Sequence, residues 1–238
     1  MTGSDFDLLS VDSRWEADLA NRRVLSMDPH ARVAIKRDVH ELVISADARH
    51  FADAFHQTMR VPGSQFGLLQ VRRPSDRAGQ PYQLGDRFQG RFNLPAAVRR
   101  LSKGRLLGGP LDRVASSRLG QRQLHRIGDS NASDYGMIDL LELDGQAGDP
   151  QARFRFRYRY LEGSPIAGSS TFTIQALPDG NCRLTQVFEY QELDVMTATF
   201  FAVFGLKLHN QVVYSQADTS AQQLGARVIE TDIPAAYI

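Results

Sequence analysis

From Val195 to Val228 the chain holds no proline, and this stretch constrains the fold more than any other. It starts behind Asp194, a side chain suited to accept hydrogen bonds from the free amides of a first helical turn. It closes at Gly225, the residue type that most readily takes the left-handed conformation ending a helix. A helix of about thirty residues runs roughly 45 Å, the width of a whole domain. On a helical wheel Val203, Leu206, Asn210, Val213, Ala217, Ala221 and Leu224 share one face. That face is apolar, and its side chains shrink toward the C-terminal end, so the helix can lie close against a sheet there. Asn210 is the polar exception. A buried asparagine without a partner costs about 1–3 kcal/mol. It therefore bonds a protein group or faces a wet or ligand-filled cavity. Phe201, Leu208 and Val212 lie on the opposite side, so the first half of the helix is expected to be covered twice. Beyond Val212 the back turns polar, with Ser215, Gln216, Thr219, Gln222 and Gln223. The candidate covers are the N-terminal segment with Trp15 and Leu19, residues 95–131, or a second copy of the chain.

The segments before this helix alternate with period two, the signature of half-buried strands. Arg153-Phe-Arg-Phe-Arg-Tyr-Arg-Tyr160 is the most regular. Strands are also predicted over 135–143, 167–177 and 182–192. The clusters 144–150, Glu162-Gly-Ser-Pro165 and Pro178-Asp-Gly-Asn181 separate them. Connections this short imply an antiparallel meander. Earlier in the chain, 33–45 reads as a strand, and Ser45-Ala-Asp47 as a helix start. Phe51, Phe55 and Met59 then recur at spacing four, so 47–59 is an amphipathic helix, ended by Pro62-Gly63. Residues 64–72 read as short helical or irregular chain. Residues 84–94 read as a strand with Phe88, Phe92 and Leu94 on one face. Between Pro95 and Asn131 a short helix over 96–102 and a strand near 121–127 are expected. Residues 1–30 read as an appendage with a short helix marked by Trp15, Leu19 and Val24, and 31–238 as a single domain.

This is an α+β pattern: a strand, a helix pair, a run of antiparallel strands and one long C-terminal helix. Together with the passage Ile44-Ser-Ala-Asp47 from strand to helix, and the strand Phe188-Glu-Tyr190 running into the last helix, it resembles the helix-grip fold of the START-related superfamily (SRPBCC). That superfamily includes lipid-transfer proteins, plant pollen allergens and polyketide cyclases. The resemblance covers roughly residues 33–228. It implies a curved antiparallel sheet wrapped around the helix, with an apolar cavity between them. The superfamily has no universal catalytic signature, so the resemblance assigns no catalytic residue.

Strand alternation and the helical wheel aim Tyr158, Tyr160, Phe172, Phe188, Tyr190, Leu206 and Asn210 at one shared cavity. Buried tyrosine hydroxyls need partners, which suits a pocket more than a dry core. The expected function is binding or transfer of an apolar small molecule, a lipid or a polyketide-like compound. An enzyme of the cyclase or aromatase kind using the same cavity is the alternative, as is an interaction module without ligand. No cofactor and no metal are expected: the six histidines show no ligand spacing. Gly104-Arg-Leu-Leu-Gly-Gly-Pro110 lacks the end of a phosphate loop, and Ser116-Ser117 has no nucleophile context.

Charge is unevenly spread. The whole chain carries +1. Between Arg87 and Gly128, however, stand Arg87, Arg91, Arg99, Arg100, Lys103, Arg105, Arg113, Arg118, Arg122 and Arg126 against the single acid Asp112. Residues 95–126 are therefore a candidate arm for an anionic membrane surface. Aromatics are scarce among these basic residues, which argues against nucleic acid. The Arg153, Arg155, Arg157 and Arg159 row is expected on solvent, neutralised in part by Glu189 or Glu192. A single cysteine, Cys182, fits a reducing compartment. With no secretory signal and no apolar run long enough to span a bilayer, a cytoplasmic monomer or homodimer is expected.

Overall fold

The computed structural model describes residues 13–60, 69–92, 133–194, 197–198 and 201–235. One antiparallel sheet holds β1 (Lys36–Ile44), β2 (Leu69–Arg72), β3 (Arg87–Phe92), β4 (Ser133–Asp144), β5 (Arg153–Tyr160), β6 (Ile166–Ala176), β7 (Cys182–Glu192) and β8 (Val228–Thr231). Its order is β2-β3-β4-β5-β6-β7-β1-β8. The meander β4 to β7 follows from its turns. Between β6 and β7, Leu177 N donates to Asn181 O at 2.9 Å, and Gly180 supplies the positive φ of 81° that this tight hairpin requires. β1 returns beside β7, from Lys36 opposite Tyr190 to Ile44 opposite Cys182. Its alternation works as expected: His40, Leu42 and Ile44 are buried, while Arg37, Val39 and Glu41 are exposed.

Helices α2 (Ala48–Arg60) and α3 (Leu206–Gln223) lie across the inner face, and α1 (Ser13–Asn21) stands apart. Asp47 starts α2, its Oδ1 accepting from Arg49 N at 2.9 Å and His50 N at 3.2 Å. Phe51, Ala52 and Phe55 of α2 are buried, and the Phe55 ring lies 5.7 Å from Phe156 and 5.5 Å from Phe172. The two helices meet through Thr58 Oγ1 and Ser220 Oγ, 2.9 Å apart. A sheet gripping a C-terminal helix is thus the architecture found: the α+β helix-grip fold.

Several details depart from the sequence expectation. Asp194 does cap the start, accepting from Thr197 N at 2.8 Å, but Phe201–Gly205 forms a π-helical turn. Such a turn holds one residue more than an α turn, so what precedes it is rotated by about 100°. Phe201 therefore does not face away from the sheet; its ring lies 5.4 Å from that of Tyr190. Gly205 permits this, since a Cβ there would sit 2.6 Å from the Phe201 ring. Leu224 falls off the buried stripe because the helix has ended: Gly225 is left-handed, with φ 68°, and Ala226 N donates back to Ala221 O. Gln216, expected on the polar back, is buried, since α2 covers that flank of α3.

Residues 69–72 are an edge strand rather than helix. The short β8 went unforeseen, because four residues with Ile229 and Glu230 exposed show no readable alternation. Val24 lies beyond α1, in an isolated bridge to Leu161. Leu19 is buried as expected, but α1 sits on the outer face of the sheet. Arg87 Nη1 donates to Leu19 O at 2.9 Å, and the Arg72 guanidinium stacks on Trp15 at 3.9 Å. Arg72 and Arg87 alternate with the inward Val71 and Phe88, so α1 is not what covers the back of α3. From there the chain crosses the end of the sheet, where the Gln191 amide bonds Asp28 N, Asp28 O and Val33 O.

The arginine row is outward, but its acids come mainly from β4. Asp139, at the β4 bulge, meets Arg157 at 2.8 Å and Arg159 at 3.8 Å, and Glu142 meets Arg155 at 3.3 Å. Glu189 pairs with Arg37, while Glu192 points inward to Lys36. The basic segment 95–131, with its expected helix and strand, lies outside the described residues. No described helix is long and apolar enough to cross a membrane.

Candidate ligand-binding site

Strand pairing arranges the inner face in rows running across the strands. One row is Leu42, Leu184, Ile174 and Phe154, all buried. The next is His40, Gln186, Phe172 and Phe156. The third is Asp38, Phe188, Ser170 and Tyr158. Beyond it Lys36 stands opposite Tyr190, and Tyr160 opposite Gly136. The face thus turns from aliphatic to aromatic and polar along its own strands. Tyr158 marks the change: it is half-buried, while Phe156 and Tyr160 on either side are buried. Part of Tyr158 is therefore left uncovered on the inner face of a central strand.

The seven expected site residues divide. Phe172 joins the main core, stacked on Phe156 at 4.7 Å, and is a packing residue. Tyr160, Phe188 and Tyr190 form a second cluster with Ile166, and Tyr158, Phe201 and Leu206 border it. Phe188 and Tyr190 stack at 4.4 Å. Asn210 is buried nearby; its amide interacts with His40, and its Oδ1 makes no direct hydrogen bond within 3.5 Å.

The structure adds residues that sequence patterning did not single out. His209 lies flat on Phe188 with ring centroids 4.2 Å apart. His40 is 6.2 Å from it and bonds Asp38 at 3.0 Å. Gln186 is fully buried; its Nε2 donates to Ser170 Oγ at 2.8 Å, and its Oε1 has no partner. The Tyr158 hydroxyl lies beside those of Tyr160 and Ser170. Asp134 completes that side, one step along β4 from the Gly136–Tyr160 pair and on the same face. A usable signal existed for Gln186, as for Asn210: one amide in an otherwise apolar alternating face. For Asp38 and His40 it was the period-two run Lys36, Asp38, His40, Leu42, Ile44, polar in its first half only.

Electrostatics separates these groups. Burial pushes the Asp134 carboxyl up to about 7. Burial also pushes His209 down to about 3, helped by the charge of His40, so its ring is neutral. Burial opposes charge on His40 as well, but the hydrogen bond and charge of Asp38, with Asp232 and Asn210 adding less, raise its pKa overall. The hydrogen bond from His40 in turn lowers Asp38. Burial raises Tyr158, and Tyr160 well above its ordinary value, so both hydroxyls keep their protons. Cys182 is buried and its thiol is pushed up to about 12, which makes it a poor nucleophile. Among the described residues no group of His, Cys, Asp and Glu is arranged to hold a metal ion. Phe188 is covered by Tyr190 and His209, so the arrangement can hold an apolar body against the uncovered part of Tyr158, offer it hydrogen bonds, and exchange one proton near neutral pH through Asp134.

No protein-family model matches the chain, and no curated protein does. Among solved structures it is similar to norcoclaurine synthase from Thalictrum flavum, at 10% identity and TM-score 0.49, over 82% of this chain and 99% of that one. It is also similar to ginseng major latex-like protein 151 from Panax ginseng, at 11% identity and TM-score 0.36, over 75% and 95% of the two chains. A hypothetical protein from Helicobacter pylori follows at 9% identity and TM-score 0.40, over 83% and 96%. The first two neighbours are members of the START-related superfamily, the group resembled in sequence. The description of the fold rests on strand order and on the helix across the sheet, not on these likenesses.

Proposed function

We propose that the protein binds a small molecule with a large apolar or aromatic body in front of Tyr158, beside the Tyr160–Phe188–Tyr190 cluster and the first turns of α3. The observation that carries this is the combination of a half-buried Tyr158 between the buried Phe156 and Tyr160 with orphaned polar atoms on Gln186 and Asn210. A dry structural core selects against both, since each orphaned group costs about 1–3 kcal/mol. Native mass spectrometry of the purified protein tests it, with an extra mass of a few hundred daltons expected, or saturable uptake of an apolar fluorescent probe. The bare mass alone, with no saturable uptake, refutes it.

One observation favours a second reading, catalysis of the cyclase or aromatase kind on a polyketide-like substrate. Asp134, with a carboxyl pushed up to about 7, stands within electrostatic reach of two protonated tyrosine hydroxyls. A group poised at neutral pH suits general acid–base work. An Asp134→Asn variant that binds normally but turns nothing over supports this reading. Equal turnover by the variant removes it.

A further inference from the structure

The polar notch between β1, β7 and α3 does not resemble the rest of the site. His40 and Gln186 stand directly opposite each other across two paired strands. Above them α3 brings His209, lying flat on Phe188, and Asn210. Gln186 and Asn210 are more than nine-tenths buried, and each has an amide oxygen without a partner. His209 Nε2 is also buried and unpartnered. Gln186, two residues before Phe188 on the same face of β7, and His209, stacked on that ring, thus bring two of these atoms together, with the Asn210 amide on the His40 side.

From this we infer that the notch recognises a neutral hydroxyl group on the aromatic or apolar ligand, the hydroxyl donating to the amide oxygen of Asn210 or Gln186 and accepting from His209. The inference rests on the binding function proposed above and specifies the ligand class. Chemistry excludes the alternatives in turn. The two amide oxygens are acceptors and repel an anion. Asp38 is already engaged by His40, so its charge is not free for a cation. A methyl or ether group leaves the acceptors unpaired in a place without bulk water, which is costly. A neutral hydroxyl both gives and takes a hydrogen bond through a single oxygen. Sites built to bond a hydroxyl reject the analogue lacking it far more strongly than apolar pockets reject an extra methyl.

The test uses the full chain and three probes of one shape: naphthalene, 2-methoxynaphthalene and 2-naphthol, followed by calorimetry or fluorescence. The naphthol should bind about tenfold or more tightly than the methoxy compound. Asn210→Leu and Gln186→Leu, combined if each alone has a small effect, should bring the two affinities together while naphthalene binding holds or improves. The wild-type comparison decides the matter even where a variant fails to fold. Equal affinity of the wild type for naphthol and methoxynaphthalene overturns the hydroxyl inference, the notch then holding only water, and leaves the binding function standing. Failure of all three probes to bind removes both.

Discussion

The two ends of the inner face share the same strands and the same alternation, yet one is core and the other a candidate site. At the Leu42–Leu184–Ile174–Phe154 end two helices come down together. Phe51 and Phe55 fill the space from α2, and Ala217 and Ala221, both fully buried, let α3 approach closely. At the Asp38–Phe188–Ser170–Tyr158 end, among the described residues, Phe201 and the first turns of α3 lie above the sheet. They carry the larger side chains Leu206, His209 and Asn210. The difference teaches that strands of one alternation carry a core or a candidate site according to the side chains the helices set against them.

The sharpest way to break the comparison is Phe55→Ala. If this end is pure core, the variant loses about 3–5 kcal/mol in denaturant unfolding. It should bind the same ligand wherever it is still folded. A loss of under 1 kcal/mol would mean that the end is loosely packed after all.

At the other end Asp134→Asn should stabilise, with a sign set by pH. The folded protein keeps the Asp134 proton up to about 7, against an ordinary value of 3.8. Between these values the native state holds more protons than the unfolded chain, so stability falls as pH rises. The variant lacks this slope. It should match wild type near pH 4 and exceed it above pH 7, by on the order of 2 kcal/mol once partial contact with water is allowed for. Parallel stability–pH curves for the two proteins would show that Asp134 is well solvated.

Asp38→Asn sharpens the contrast on the β1 side. Asp38 is lowered, so its contribution is present above the unfolded carboxylate value and lost as pH falls through the folded one. His40 is raised, so its contribution is complete below about 6.5 and lost as pH rises through the folded value. His209, neutral, and Asp232 are the other titratable groups facing this pair. The variant should lose about 1–2 kcal/mol, most between roughly pH 4 and 6.5, and less at pH 8. Thermal melts across that range measure it. The smallest effect is expected from Asn210→Leu. Removing an orphaned acceptor leaves stability unchanged or raises it by about 1 kcal/mol. A loss of several kcal/mol would instead make Asn210 a structural hydrogen-bonder.

The fold was legible because its signals are long. Arg153 to Tyr160 alternates over a full strand, and Asp194 and Gly225 bracket the last helix as caps should. Short elements such as β2 and β8 left no period to find. The aromatic half of the candidate site was equally legible, since Tyr158, Tyr160, Phe188 and Tyr190 are placed by alternation alone. Its polar half depends on pairing between distant segments. That His40 faces Gln186 follows from β1 returning beside β7. That His209 lies on Phe188 follows from the seating of α3. Neither is local information. Phe172 was aimed correctly by alternation but is claimed by α2, which reaches it first.

The extra residue in the turn Phe201–Gly205 makes the last helix a part in two pieces. The rod from Leu206 onward is seated by α2 and by the sheet, and it keeps His209 and Asn210 where they are. The piece before it is phased separately. Deleting one residue from the turn would restore a plain α-helix and swing the preceding side chains round by about 100°, with the rod undisturbed. A change of a single codon would then withdraw Phe201 from Tyr190 and offer the cavity a different wall. Such a joint lets the mouth of a binding site diversify by insertion and deletion while its floor stays the same.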